Sequence, residues 1–486
     1  MSRVLAGLQP EPVFRYFEEI SLIPRGSGNE KAISDYLVAF AKHHQLEVIQ
    51  EENLNVIIRK PASPGYENAP TVILQGHMDM VCEKNHGTIH DFEKDPIRLR
   101  IIDDMIYATD TTLGADNGIA IAYALAILSA KDIPHPPLEV IMTVEEETGL
   151  GGATALDPQH VTGKYLINLD SEEEGEFLVS CAGGVRTRQI LPTSWENVPQ
   201  ALRPYTISIR GLKGGHSGMD INKGRGNSNK IMGRILNDLS SAFPYRLGSI
   251  NGGSKMNAIP READALILLD EKYIPVLESK IQEWNTILKN ELRSADGNVS
   301  VKVEKYEGPS ISSVFTEEIR NKVITSLLLI PNGVQTMSMD IENLVESSTN
   351  LGVVTTSDED IRFESATRSS VRSLKYGILS QGKALAESLG CQFVPDSEYP
   401  EWEYNPESEL RNLFLSVYKD FYGKEAKVIA IHAGVECGIL KEKKADLDMI
   451  SLGPNMYDVH TPNEHLSISS TQRTWEFLLA VLKEIR

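Results

Sequence analysis

Thr71-Val-Ile-Leu-Gln-Gly-His77-Met-Asp79 is an apolar run that ends abruptly in an imidazole and a carboxylate. A short apolar segment without alternation is the pattern of a strand buried on both faces. The two-residue period of a strand puts His77 and Asp79 on the same side. An aspartate so placed accepts the ring N–H of a ligating histidine, fixing its tautomer and raising its basicity. Taken alone, the run also reads as a buried, satisfied histidine beside a solvated aspartate.

Working outward, similar apolar runs recur at 46–49, 55–58, 138–144 and 165–169, with helical spacing at 11–20, 29–44 and 117–130. Short buried strands separated by helices predict an α/β sheet covered on both faces, with chemistry at the carboxyl ends of its strands. Beyond residue 184 the pattern changes. Strands near 205–210, 263–269 and 299–305 alternate with helices near 227–243 and 274–292. A similar order returns as helix 317–328, strands near 351–356 and 361–365, helix 372–389 and strand 391–395. After residue 400 the α/β pattern resumes with helix 408–421, strands 427–431 and 449–452, and helix 470–485. The expected architecture is an α/β domain with a mixed sheet (1–186 and 399–486), interrupted by an inserted α+β domain (187–398).

The chain has 486 residues, 48 basic against 68 acidic, for a net charge of −20. No Lys/Arg-rich run relieves that acidity, which argues against a nucleic-acid partner. Cys82, Cys181, Cys391 and Cys437 form no CxxC pair, which excludes a zinc ribbon or disulfide scaffold and fits a reducing cytosol. Cys82 reads as a small core residue. The start carries charge and proline where a signal peptide needs an apolar segment, and the longest apolar stretch, 118–130, is too short to span a bilayer. A cytoplasmic protein with no membrane partner is expected.

Four more segments place metal-capable side chains where strands end. The polar turn at 112–118 carries Asp116 before an apolar helix, though Asp and Asn are also ordinary helix caps. The strand at 138–144 runs into Glu145, Glu146 and Glu147. Three adjacent carboxylates repel one another, and they make better sense if one binds a cation while a neighbour handles protons. Asp170 directly ends another apolar strand, and Asp458, His460 and Glu464 follow the strand at 449–452. Two imidazoles and several carboxylates suit a pair of borderline divalent ions, because three ligating carboxylates and one hydroxide balance two dications. Such a site activates water near neutral pH and polarises a carbonyl.

The order HMD (77–79), LGADNG (113–118), EEETG (145–149), INLD (167–170) and a late histidine resembles the M20 family of co-catalytic zinc metallopeptidases. DSEEEGE (170–176), CAGG (181–184), GLKGGHSG (211–218), NAIPREA (257–263) and HAGVECG (432–438) extend the match towards that family's bacterial aminoacyl-histidine dipeptidases. The resemblance implies a zinc-peptidase α/β domain with an inserted lid, holding two Zn²⁺ ions, with Mn²⁺ or Co²⁺ as substitutes. Asp116 would bridge the ions, His77 and Asp170 would complete one site, and Glu147 and His460 the other. Asp79 would orient His77, and Glu146 would be the general base; the spacing to Gly149 selects Glu146 and Glu147 over Glu145. A cis peptide is implied after Asp116.

In the lid, the resemblance makes His216 the donor to the tetrahedral oxyanion, and Asn257 and Arg368 the receptors of a substrate carboxylate. On their own these three read as a turn histidine, a capping asparagine and a solvated arginine. His432 and Glu436 are expected on a loop after a C-terminal strand, Glu436 recognising a free α-amine. The other histidines read as structural or surface residues. The implied activity is hydrolysis of unblocked dipeptides, Xaa-His among them. A tripeptidase, an N-acyl amino acid deacylase and a non-catalytic metal- or peptide-binding protein are the alternatives. A homodimer through the lid is expected; alternatively, the doubled insert replaces a partner's lid within one chain.

Overall fold

The 71–79 run becomes the strand Val72–His77, buried at every position within an eight-stranded sheet. The computed structural model describes residues 3–486. Their order in that sheet is Glu47–Gln50, Val56–Lys60, Leu138–Thr143, Val72–His77, Tyr165–Asn168, Asp448–Ser451, Glu176–Cys181 and Lys427–Ile431. The four strands from Leu138–Thr143 to Asp448–Ser451 run parallel, in register from Val72↔Leu138 to His77↔Thr143 on one side and Val72↔Tyr165 on the other. Antiparallel strands flank them, so the sheet is mixed, as expected. Parallel register brings the carboxyl ends of neighbouring strands to one edge, and with them the residues that follow each strand.

The helix Ala115–Ser129 is apolar all round and buried throughout but for Asp116 and Ser129, as a helix enclosed by protein must be. Its entry is irregular: Gly114 is left-handed at φ 70°, and the Asp116–Asn117 peptide is cis. The Asn117 side chain accepts from the His77 N–H and donates to the Leu169 carbonyl, joining two strand ends. A β-carbon on Gly76 would meet Asn117 and Ala120, so that strand residue has to be glycine for the helix to lie this close.

The chain divides into two compact units. One comprises the chain up to Ser180 with Tyr404–Ala430 and Val435–Arg486; the other comprises Cys181–Glu403 with Ile431–Gly434. The joins read from the sequence, 186/187 and 398/399, fall a few residues inside these, and the excursion at Ile431–Gly434 has no counterpart there. The second unit carries a nine-stranded sheet. Its path runs Ser300–Lys305, Leu202–Arg210, Ala263–Asp270, Arg246–Gly252, Val345–Thr356, Asp360–Ser369, Gly183–Pro192 and Gln392–Tyr399, with Gly333–Met337 paired to Val345–Thr356. Two half-sheets meet at the antiparallel bridge Gly252↔Val354. Side-chain caps from Asn227 and Thr316 open the helices Ser228–Ala242 and Glu317–Leu329.

Arg246–Gly252, Gly183–Pro192 and Gly333–Met337 were not among the expected strands. In Arg246–Gly252 a bulge between Leu247 and Ser249 spaces the two buried apolar residues, Leu247 and Ile250, three apart, which erases the two-residue alternation. Among the described residues, no helix is long and apolar enough to cross a membrane.

In the first unit Phe177 stacks on Phe477 (5.4 Å between centroids) and meets Phe414 and Tyr418 edge-on. Phe177→Ala should lower stability by about 3–5 kcal/mol, read as a lower denaturant midpoint by near-UV circular dichroism.

Candidate active site

At the carboxyl edge of the parallel strands, His77 follows from its own strand and Asp170 lies just beyond Tyr165–Asn168. Glu146 and Glu147 lie just beyond Leu138–Thr143. His77 donates from Nδ1 to Asp79 Oδ1 (3.1 Å), which leaves the Nε2 lone pair free to bind a cation. Nε2 lies 3.0 Å from Asp116 Oδ1 and 3.5 Å from Asp170 Oδ1. The other Asp116 oxygen lies 3.0 Å from His460 Nε2, which is 3.1 Å from Glu147 Oε1. The Asp116 carboxylate therefore turns one oxygen to each imidazole.

These side chains form overlapping groups whose ligand atoms lie within 4.8 Å of one another: His77, Asp116 and Asp170; Asp116, Glu147 and His460; and His77, Glu146 and Glu147. Tetrahedral bonds of roughly 2.0–2.1 Å imply ligand separations of about 3.3 Å, close to the spacings here. Buried Glu147 Oε1 has no hydrogen-bonding neighbour besides the His460 imidazole. Burial and neighbouring carboxylates push Glu146 up to about 9 and Asp170 up to about 6, against the pull of His77. Crowded, buried carboxylates facing two imidazoles are a donor set that a pair of divalent cations fits. Glu145, the third acid of the run, is exposed with φ 52°, and its N–H donates to Glu30 Oε1.

Three buried residues that carry no ligand atom shape this edge. Asp79 Oδ1 also accepts the Glu146 N–H, while Oδ2 accepts from the Glu147 N–H and the Ser27 hydroxyl. Glu464 takes the backbone N–H groups of Leu113, Gly114, Ala115 and Asp116 at 2.7–3.3 Å, a carboxylate seated on a helix N-terminus. The Arg25 guanidinium donates to the carbonyls of Met78, Asp79 and Gly114. Arg25 went unmarked in the sequence, and Glu464 carried no role there, because a lone polar residue in a turn has no periodicity to betray its burial. Cys82, expected in the core, is exposed.

Glu436 is not on a loop: it opens the helix Glu436–Lys443. The side chain is buried, and Oε2 accepts from Gln75 Nε2 (2.6 Å) and Thr143 Oγ1 (2.8 Å). Oε1 has no partner. Burial, partly offset by His77, pushes the carboxyl up to about 7.

His216, Asn257, Arg368 and His432 belong to the second unit. His216 lies in a two-residue strand paired with Ala258–Ile259, and the Asn257 carbonyl accepts the Ser217 N–H. The His216 Nδ1 accepts from the Gly218 and Met219 N–H groups, so the neutral ring carries its proton on Nε2. Burial, then Arg368 with Nη2 3.5 Å from Nε2, lowers the His216 pKa and keeps the ring neutral. His432 bonds Ser348 Oγ at 2.7 Å. Burial, with Arg368 and His216, pushes His432 down to about 3. Asn257 is exposed, with its flanking carbonyls at Met256 and Ala258 both held by Asn350 Nδ2.

Paired imidazoles, a carboxylate between them and two adjacent glutamates are a donor set suited to a metallohydrolase centre. The chain belongs to the peptidase family M20/M25/M40, whose profile matches residues 73–484. That is the family its motifs pointed to. It is 38% identical over 481 residues to the cytosol non-specific dipeptidase of Escherichia coli K12, covering 99% of each chain. The crystal structure of aminoacylhistidine dipeptidase from Vibrio alginolyticus superposes with a TM-score of 0.95 at 37% identity, covering 99% of this chain and 98% of that one. Aminopeptidase PepT from Bacillus cereus, at 17% identity and a TM-score of 0.57, shares the fold.

Glu464→Ala should weaken divalent-cation affinity about 10–100-fold without altering the far-UV spectrum. Competition with a chromogenic chelator measures it.

Proposed function

We infer that the chain is a metal-dependent dipeptidase acting on unblocked dipeptides, Xaa-His among them. The observation that carries the reading is the Asp116 carboxylate set between His77 and His460, with Glu146 beside it. Likeness over the full chain to a non-specific dipeptidase and an aminoacylhistidine dipeptidase supports the substrate class. The reading places the enzyme in the cytoplasm.

His77, Asp116 and Asp170 would hold one ion, and Asp116, Glu147 and His460 the other. The donor set favours zinc, with manganese or cobalt as substitutes; bound there, the pair would lower the pKa of a water and polarise the scissile carbonyl. With the ions bound, Glu146 would be ionised despite its burial; its carboxylate takes the proton of the attacking water and hands it to the departing amine nitrogen, so the acid returns to its starting state. Asp79 keeps His77 in the Nδ1–H tautomer while this happens. The neutral His216 donates from Nε2 to the oxyanion, a contribution of about 3 kcal/mol. Arg368 and Asn257 receive the substrate's carboxylate, His432 backs this region as a neutral ring, and Glu436 Oε1 receives the α-amine.

For assembly, a homodimer through the second unit remains our proposal. The bridge Gly252↔Val354 supports the other arrangement, in which the second half-sheet stands in for a partner's lid within one chain. Sedimentation at the chain mass, independent of concentration, rules the dimer out.

Chelator-sensitive cleavage of Ala-His and Gly-Leu, without cleavage of a tripeptide or N-acetyl-methionine, is the expected activity. Cleavage of the tripeptide or the acylated amino acid alone overturns the dipeptide reading, and silence on all of them overturns catalysis. Glu146→Gln should cost about 10²–10⁴ in kcat at unchanged metal content, whereas His460→Ala should lose one ion per chain by elemental analysis. Glu436→Gln should raise KM for Gly-Leu; an unchanged KM removes the amine role.

A further inference from the structure

In the sheet of the second unit, Arg368 and Tyr399 flank Gly184 at the same register, one from each strand paired with Gly183–Pro192. Neighbouring strands lie about 4.8 Å apart, so two spacings separate their backbones, and the side chains close that gap over the glycine. Arg368 Nη1 donates to Tyr399 Oη at 2.8 Å. A β-carbon on Gly184 would meet the ring and hydroxyl of Tyr399, and one on Gly434 would meet its other edge. Neither glycine has a positive φ, so both serve for room and not for backbone conformation. The ring is seated between a glycine of CAGG and one of HAGVECG, glycines that the metal centre does not use.

The backbone at Tyr399 is also held. A bulge between Asp396 and Tyr399, with Ser397 at φ 49°, turns the strand end back towards Gly184. The buried Lys375 ammonium donates to the Tyr399 carbonyl (3.4 Å) and pairs with Glu401 at 2.7 Å. Arg368 Nε, buried beside this contact, has no hydrogen-bond partner, so the guanidinium keeps donor capacity that no protein group takes up. An arginine side chain is long and many-jointed. A donor already committed to a fixed phenol removes much of its freedom before any anion arrives.

We propose that Tyr399 is a positioning residue that fixes the Arg368 guanidinium for the substrate's C-terminal carboxylate. It thereby sets how strongly a free dipeptide is held. The proposal rests on the reading of Arg368 given above, and the experiment separates the two.

Tyr399→Phe removes only the hydroxyl. It should raise KM for Gly-Leu about tenfold, the loss expected for one charge-assisted hydrogen bond, with kcat within about twofold. Arg368→Met should raise KM further, and adding Tyr399→Phe to it should change nothing more, because the hydroxyl acts only through the guanidinium. Gly184→Ala, which displaces the ring, should reproduce the rise in KM. Additive effects in the double variant, or a fall in kcat at unchanged KM, overturn the role of Tyr399. If Arg368→Met raises KM while Tyr399→Phe does not, the Tyr399 proposal alone fails. If Arg368→Met leaves KM unchanged, the carboxylate reading of Arg368 fails, and that of Tyr399 with it.

Discussion

The edge that carries the candidate active site depends on one buried carboxylate. Asp79 has no solvent exposure, and its two oxygens share four donors: the His77 ring, the Ser27 hydroxyl, and the backbone N–H groups of Glu146 and Glu147. Burial alone would raise the pKa of such a group, but these donors hold it below the ordinary range. The charge stays, and with it the geometry. Because the same carboxylate orients the imidazole and the turn bearing the two glutamates, the proposed ligand and the proposed base are set relative to each other by one group.

A second pair of buried charges finishes the loop before Asp116. Arg25 takes a carbonyl from it and Glu464 takes its N–H groups, so both polar faces of that backbone are satisfied from outside. Buried charges are costly unless nearly every hydrogen-bonding position is filled. The cost is offset here by seven hydrogen bonds, three from Arg25 and four to Glu464. Held from both sides, the loop presents Asp116 with one oxygen towards each imidazole.

The parallel strands and their terminal acids were legible in the sequence because buried strands are continuous apolar runs and ligands follow them directly. His77, Glu147 and Asp170 stand out that way, whereas Asp116 and His460 were singled out as ligands through the family resemblance; the structure brings the five into overlapping groups. Arg25 was invisible, since its burial depends on carbonyls distant in the chain. Arg246–Gly252 was missed because a bulge shifts its apolar residues out of phase. Glu436 was expected on a loop because a glycine-rich stretch reads as one. Its place at a helix start follows from contacts with Gln75 and Thr143, more than 290 residues away in the chain.

The side chains at this edge are spread from residue 77 to residue 460, with the whole second unit encoded between them. During synthesis the N-terminal strands can pair early, yet Asp116 waits for Glu464 to fix its loop and for His460 to face its second oxygen. A nascent chain therefore carries an incomplete centre until residues 460–464 have been made. In this architecture, a fragment that stops short of His460 lacks the second imidazole facing Asp116.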